Sequence, residues 1–305
     1  MDQNKSYYIE EADTAQREYI FENHYRILKN RESHHIFAAV EKSSCGIIGF
    51  ITGHPRENVP ESWFIASLWV KPEYRRQGIG RALFRELRRR AVENGACDMG
   101  GFANPTEASS MFWDSLGFCF SKTGKPKAAD EWNESGFGNY SHIMFSNVDD
   151  RVYEPKTKPV PVTTARAKRK DLEYICGNYL IPFHEKYYSL HRDELFGYAA
   201  FDGDGRIVGF VVMRYEMMYP PLDGIMVQGT VYVEPQMRRN GIGSILVCEA
   251  VKTAEEKGVK QILFGGKDDY LPFWNSLGFR WHRWGRSTDE PEKFAILAGL
   301  RFSAK

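Results

Sequence analysis

Apolar and polar positions change rhythm repeatedly along this chain, and each change predicts an element. Short apolar or alternating runs mark strands at 7–10, 35–40, 45–52 and 63–70. The turn Glu41-Lys-Ser-Ser44 joins the second and third as a hairpin. A helix over 15–29 carries Tyr19, Ile20, Tyr25 and Leu28, and another, with Ile79, Leu83, Leu87 and Ala91 at helical period, runs to about 94. A strand at 98–103, a helix at 106–115 and strands near 118–121 and 141–145 follow. The series then starts again. It gives a strand at 162–165, a helical segment at 168–194 and a hairpin of 198–201 with 206–213 around Asp202-Gly-Asp-Gly205. A central strand at 226–233, a helix to about 257, a strand at 261–264 and a helix at 270–276 come next. Strands at 279–284 and 294–297 close the second half. The order β-α-β-β-β-α-β-α-β-β mixes hairpins with crossovers. It predicts an α/β fold twice over, each half a mixed, mostly antiparallel twisted sheet flanked by helices.

The central strand of each half ends in a glycine loop that opens a helix. In the first half the loop is Lys71-Pro-Glu-Tyr-Arg-Arg-Gln-Gly-Ile-Gly-Arg81, and in the second Glu234-Pro-Gln-Met-Arg-Arg-Asn-Gly-Ile-Gly-Ser244. Pro72 and Pro235, Gly78 and Gly241, and Gly80 and Gly243 share a single offset in numbering. Phe112-Trp-Asp-Ser-Leu-Gly-Phe118 recurs as Phe273-Trp-Asn-Ser-Leu-Gly-Phe279 at almost the same offset. Two landmarks in one order at nearly one offset mean a duplicated domain. Glycines let backbone N–H groups converge, the new helix end adds unpaired donors and a positive dipole, and the arginines add counter-charge. Such a loop suits a phosphate or pyrophosphate. Leu83 and Leu246 stand where a dinucleotide fingerprint needs its third glycine, and no Gly-Lys-Ser/Thr follows, which disfavours dinucleotide and P-loop readings.

The runs Arg75-Arg-Gln-Gly-Ile-Gly80 and Arg238-Arg-Asn-Gly-Ile-Gly243, with the later Leu-Gly-Phe, resemble the acetyl-CoA site of the GNAT family of N-acetyltransferases. The resemblance covers both halves and implies transfer of acetyl from acetyl-CoA to a primary amine, by direct attack without an acyl-enzyme. The acceptor would be a small molecule or a peptide. Coenzyme contacts are expected from Trp69, Val70, Arg75, Arg76, Gln77, Gly78, Ile79, Gly80 and Arg81. Their counterparts are Tyr232, Val233, Arg238, Arg239, Asn240, Gly241, Ile242, Gly243 and Ser244. Trp69-Val70 and Tyr232-Val233 should pair with the pantetheine arm, which requires the strand to splay from its neighbour there. Much of the family protonates the departing thiolate with a tyrosine four residues before the glycine of Gly-Phe. That position holds Trp113 and Trp274, whose indoles have no accessible acid pKa. Three readings stay open: the thiolate leaves through water, Tyr270 serves as the acid, or one half binds without catalysing. An acyl-CoA-binding or architectural module is the alternative to an enzyme. Trp113 and Trp274 also suit plain core packing. Glu61 and Asp223 precede the central strands but miss the register of a family base, and read as solvated loop charges.

Composition narrows the rest. The 305 residues hold 41 Lys and Arg against 40 Asp and Glu, a formal net charge of +1, and neither half is basic enough to nominate nucleic acid. Arg81, Arg85, Arg88, Arg89 and Arg90 make one basic helix, read as a solvated face rather than an RNA or adenosine 3′-phosphate contact, except that Arg81 at the loop end is expected to touch the coenzyme. Five scattered cysteines lack metal-ligand spacing, and His184-Glu185 has no second histidine four residues on, so no metal is expected. No apolar leader and no run of 18 apolar residues is present, which predicts a cytoplasmic protein with no membrane partner. A monomer or homodimer is expected. Glu154-Pro-Lys-Thr-Lys-Pro-Val-Pro161 reads as a semi-stiff linker. The expected domains are 1–154 and 162–305, with 155–161 between them. Tyr174, Tyr179, Phe183, Tyr187 and Tyr188 make the second helical segment aromatic, as core or as a border of the acceptor groove. With Tyr270, they favour the second half as the catalytic one.

Overall fold

The structure, a computed structural model, describes residues 6–24, 33–57, 59–103, 107–123, 141–147, 161–179, 195–217, 225–286 and 294–301. The chain divides into two compact units, Met1–Pro105 with Phe120–Asp150, and Thr106–Cys119 with Arg151–Lys305.

The first half runs β1 (Tyr7–Glu11), α1 (Thr14–Asn23), β2 (His35–Glu41), β3 (Ile47–Arg56), β4 (Val59–Val70), α2 (Ile79–Glu93), β5 (Asp98–Ala103), α3 (Glu107–Asp114), β6 (Cys119–Thr123) and β7 (Ser141–Asn147). Its strands form one sheet in the order β1-β2-β3-β4-β5-β7-β6. The second half repeats the series as β8 (Thr163–Arg166), α4 (Arg169–Asn178), β9 (Leu195–Phe201), β10 (Ile207–Met217), β11 (Ile225–Val233), α5 (Ile242–Glu256), β12 (Val259–Lys267), α6 (Leu271–Ser276), β13 (Arg280–Arg286) and β14 (Phe294–Arg301). Its sheet order, β13-β14-β12-β11-β10-β9-β8, is the same pattern. The pairs β4–β5 and β11–β12 are parallel. The hairpin ladders β1–β2, β2–β3 and β3–β4, with β8–β9, β9–β10 and β10–β11, are antiparallel. This is the mixed, mostly antiparallel pattern that the element order predicts.

Each sheet carries helices on both faces. Ile20 and Phe21 of α1 pack with Ile36, Ala38, Val40 and Phe50. Ile175 of α4 packs with Ala199, Ile207, Phe210 and Val212. The helix that follows each glycine loop lies on the opposite face, since neighbouring strand residues alternate in direction. Ile79, Leu83, Leu87 and Ala91 are buried there, as their spacing predicts. Glycine makes the close approach possible. A Cβ on Gly49 would lie 3.0 Å from the Trp69 carbonyl oxygen and 3.4 Å from Ile79 and Leu83. A Cβ on Gly209 would meet Tyr232 O and Ile242 at 3.2 Å.

Helix α1 starts at a capping box, with Asp13 accepting from Gln16 N at 2.8 Å and Gln16 returning its side-chain oxygen to Asp13 N. The described part of α1 stops at Asn23 and that of α4 at Asn178. The further helix expected to 29 and 194 lies outside the described residues, as do Tyr25, Leu28, Phe183, His184, Glu185, Tyr187, Tyr188 and Asp223.

Candidate functional site

The site in each half begins with a bulge. Between β2 and β3 the register shifts at Ala39/Val40 so that Ile48 is extra, and between β9 and β10 it shifts so that Val208 is extra. The carbonyl of Ile48 takes the Lys71 N–H at 2.9 Å, and that of Val208 takes the Glu234 N–H at 2.9 Å. A bulge thus turns one carbonyl toward the residue that leaves the central strand. A single 3-10 turn follows in each half, Pro72–Tyr74 and Pro235–Met237. Arg75 Nε then reaches back to Val70 O at 2.9 Å, and Arg238 Nε to Val233 O at 2.8 Å. The first arginine of each pair therefore ties loop to strand.

The second arginine has an uncommon backbone. Arg76 and Arg239 lie at φ 62° and 65°, and Gly78 and Gly241 at 80° and 79°. A left-handed conformation at a bulky residue is an outlier that marks a functional loop. Its effect is to turn consecutive amides one way, and the helix start adds more. Ala82 N and Ile245 N make the first helical bonds, to Gly78 O and Gly241 O at 3.0 Å. Among the described residues the amides of 76–80 and 239–244 have no backbone acceptor. A Cβ on Gly78 would meet nothing within 4 Å, so the space over the loop is open. Two such cradles of donors at a helix N-terminus can each hold a pyrophosphate.

The central strand parts from its parallel neighbour where the arm of a coenzyme would enter. The β4–β5 ladder spans Ser62↔Asp98 to Ile65↔Gly101 and stops, while β4 runs on to Val70. The β11–β12 ladder ends at Gly229↔Phe264, while β11 continues to Val233 and β12 to Lys267. Beyond those points each strand keeps only its outer neighbour, β3 or β10 on one side and β7 or β14 on the other. Trp69-Val70 and Tyr232-Val233 line these two splays. The halves differ at the apex. Gly53 faces Ile65 and Thr52 faces Ser67, so Ala66 is bulged in β4, whereas β10 and β11 pair without a shift from Gly209↔Val233 to Met217↔Ile225.

The Trp positions resolve toward packing. Trp274 is buried, with its ring 4.9 Å from those of Phe264 and Phe279 and 4.8 Å from that of Phe273. Trp113 is buried against Phe112 and Phe118 at 5.0 and 5.2 Å. Tyr270 is 44% exposed and caps α6 just beyond the end of β12. With the two Phe-Trp runs aligned, the first half has Ser109 in its place. Glu61 sits at the far end of β4 from the loop, and its carbonyl accepts from Cys97 N at 2.7 Å.

The face of each sheet that carries α1 or α4 holds chemistry the sequence pattern did not single out. In the first half, His24 caps α1 with its ring 4.2 Å from Trp69 and 5.5 Å from Phe50. Further along, His34 and His54 face each other at 4.4 Å. His34 is 4% exposed, and its Nδ1 lies 2.9 Å from Thr52 Oγ1. Burial first, then the charge of His54, brings its pKa down to about 4. In the second half Tyr179 takes the place of His24, with its ring 5.3 Å from Phe210 and 5.1 Å from Tyr232. Tyr179 donates to Glu234 Oε1 at 2.9 Å and Tyr232 to Oε2 at 3.3 Å, and burial followed by that carboxylate raises the Tyr179 pKa. With Gly49 aligned on Gly209, the positions that match Thr52 and His54 are Val212 and Arg214, both buried. The strand alternation Phe50, Thr52, His54 was the available signal. It becomes informative only when the two halves are aligned on their bulges.

Two arginines of the basic helix are ion-paired. Arg89 meets Glu86 and Glu93, and Arg90 holds Glu11 at 2.6 Å, which lowers the Glu11 pKa. Among the described residues no cluster of three His, Cys, Asp or Glu could hold a metal, and no helix is long and apolar enough to cross a membrane.

Comparison with known proteins gives this geometry a family. The acetyltransferase (GNAT) family model matches residues 2–118 and again 165–279. No curated protein sequence matches the chain. Among solved structures, Ard1 from Thermoplasma volcanium is 17% identical, with a TM-score of 0.37, covering 48% of this chain and 99% of that one. NAA60 from Arabidopsis thaliana, in complex with acetyl-CoA, is 16% identical, with a TM-score of 0.38, covering 47% of this chain and 99% of its own. An aminoglycoside 6′-N-acetyltransferase complexed with coenzyme A is 14% identical, with a TM-score of 0.37, covering 47% and 98%. With its model matched twice, over most of the sequence, the chain belongs to the GNAT acetyltransferase family, as a tandem of two such folds.

Proposed function

We propose that the chain is an acetyl-CoA-dependent N-acetyltransferase with one coenzyme site in each half, the halves being 1–154 and 162–305 joined by the proline-rich stretch 155–161. The observation that carries this is the pairing, in both halves, of a splayed central strand with a loop of unsatisfied amides. The amides of 76–81 and 239–244 would hold the pyrophosphate, with Arg76, Arg81 and Arg239 supplying charge. The pantetheine arm would lie along Trp69-Val70 or Tyr232-Val233 as a pseudo-strand, with its thioester at the apex of the splay. A primary amine of a small molecule or peptide then attacks the thioester carbonyl directly, which requires the amine to be neutral and the thiolate to find a proton. Tyr270, exposed at the end of β12, remains the candidate donor in the second half.

A non-catalytic acyl-CoA-binding role for one half is the second reading. It is favoured by the buried indoles of Trp113 and Trp274, which leave the usual acid position without an acid. Release of free thiol from acetyl-CoA, followed with a set of amines (1,4-diaminobutane, phenethylamine, an aminoglycoside and a short peptide), separates the two. The transferase reading expects at least one amine to accelerate thiol release. Tight binding of acetyl-CoA with release unchanged by every amine would favour the binding module.

A further inference from the structure

We infer that His54 is the general base of the first half, with His34, Thr52 and Arg17 as its positioning residues, and that the matching positions of the second half hold no equivalent. The inference rests on the N-acetyltransferase reading and adds a proton acceptor to it.

Position is the first argument. His54 lies opposite Phe64 in the β3–β4 ladder, and Phe64 lies two residues before the bulged Ala66. Opposite residues of such a pair hold their Cβ atoms about 5 Å apart, and a strand advances about 3.3 Å per residue. The apex of the splay, at Ile65–Ala66, is therefore roughly 8 Å from the His54 Cβ or closer. The ring lies on the face that carries α1, since Phe50, Thr52 and His54 alternate with Gly49, Ile51 and Gly53.

Tautomer is the second. His54 Nδ1 is 2.9 Å from the carbonyl oxygen of Pro55. A carbonyl has no proton to give, so Nδ1 carries the hydrogen and Nε2 of the neutral ring keeps a lone pair. Nε2 has no hydrogen-bond partner among the described residues, and the ring is half-buried. The surroundings hold it still. His34 packs against it, fixed through Nδ1 to Thr52 Oγ1 and through its carbonyl to Arg17 Nη2 at 2.8 Å. The Phe64 ring lies 5.6 Å away on β4. Among the described residues the charged or titratable groups that act on the pair are Arg17 from α1 and His35 at the head of β2, while Arg56 of β3 lies 5.8 Å from the centroid of the Phe64 ring. His34 is buried with its Nδ1 engaged by Thr52, so the half-buried His54 is the ring of the pair with an open nitrogen.

The proton accounting closes. Nε2 takes one proton from the acceptor ammonium, and the freed amine nitrogen attacks the thioester carbonyl carbon. The C–N bond forms, the C–S bond breaks and coenzyme A leaves as a thiolate. The nitrogen sheds a second proton, which water carries to the thiolate, and His54 returns its own proton to solvent. The products are the amide, the coenzyme thiol and one proton. At the matching positions Val212 is apolar and Arg214 is a guanidinium with no acceptor lone pair, so neither can take a proton there. This moves the catalytic assignment from the second half, which Tyr270 favoured, to the first.

The test uses the full chain and S-acetonyl-CoA, an analogue that cannot transfer its acyl group. Binding is measured by calorimetry and the histidine rings by ¹⁵N NMR, with the His54 signals identified by their loss in His54→Gln. The expected ring is the Nδ1–H tautomer, and its Nε2 signal should shift on saturation in the wild type and in Gly241→Glu but not in Gly78→Glu. An unshifted ring with the first loop occupied, or an Nε2–H tautomer, overturns the inference alone. Absence of analogue binding in calorimetry overturns the transferase reading as well. In turnover, for any primary amine that Gly241→Glu acetylates, His54→Gln should lower kcat about 100-fold and flatten the acid limb of its pH profile. The KM for acetyl-CoA should hold, and Arg214→Gln should change nothing. A fall in kcat of less than threefold would refute the role.

Discussion

The two halves agree where a coenzyme would lie and disagree where an acceptor would. Bulge, 3-10 turn, arginine tether, left-handed arginine and open helix start recur at corresponding positions. The bond from the bulge carbonyl is 2.9 Å in both, and the first helical bond is 3.0 Å in both. On the face under α1 and α4 the correspondence fails. His24 faces Trp69 in one half while Tyr179 is bonded to Glu234 in the other, and Thr52 and His54 give way to Val212 and Arg214. Backbone donors impose one geometry on any loop that cradles the same phosphates, so the loops stay alike after duplication. Side chains that meet different acceptors are under no such common demand. On the proposed function, the coenzyme side would be fixed by backbone geometry and the acceptor side by residue identity.

The largest expected effect sharpens the packing half of that comparison. Trp274→Ala should destabilise the second unit by about 3–5 kcal/mol, the usual cost of deleting a buried aromatic, read from urea unfolding. Retained stability would mean that the indole is not core. Acid should separate the units next. The folded-state pKa of His34 is depressed from 6.5 to about 4, so its neutral form is the one the fold accommodates. The first unit is therefore at full stability above the ordinary histidine value. The His34 contribution should fall as pH drops from about 6.5 to about 4, by at most about 3 kcal/mol, and level off below, while carboxylates held low by partners, such as Glu11, go on losing theirs. In His34→Gln that part of the pH dependence should vanish. Gly49→Ala and Gly209→Ala should then cost about 1–3 kcal/mol each, and similarly, because both new methyls press on a carbonyl and the helix beyond. Unequal costs would show that the helices do not pack alike. Tyr179→Phe should cost about 1–2 kcal/mol through its bond to Glu234. Smallest of all, Tyr270→Phe should leave stability within about 0.5 kcal/mol, as for an exposed side chain. Assayed in the Gly78→Glu background, it reports whether the second half uses this hydroxyl as its acid.

Most of the architecture was legible because it rests on local signals. Ile79, Leu83, Leu87 and Ala91 announce a helix against a sheet, and Gly-Ile-Gly at one offset announces the duplication. Element ends were less legible. Strand β4 starts at Val59, ahead of its apolar run, because partner strands rather than local propensity decide where a ladder ends. The splay was invisible for the same reason, since it is a property of where one ladder stops between two strands and not of any one residue. The His34–His54 contact joins residues from separate segments, and neither has a neighbour in sequence that marks it. Tyr270 stood out by position in the sequence, while the structure gives it no hydrogen bond among the described residues.

The measurement that bears most directly on the central claim is calorimetric titration of the full chain with acetyl-CoA, beside Gly78→Glu and Gly241→Glu. Each variant forces a side chain into a left-handed position at the mouth of one cradle and fills the space a phosphate needs. Two equivalents bound by the wild type, with one lost in each variant, is the predicted result. Wild-type chain that takes up no acetyl-CoA, or variants that both still bind two, would contradict it.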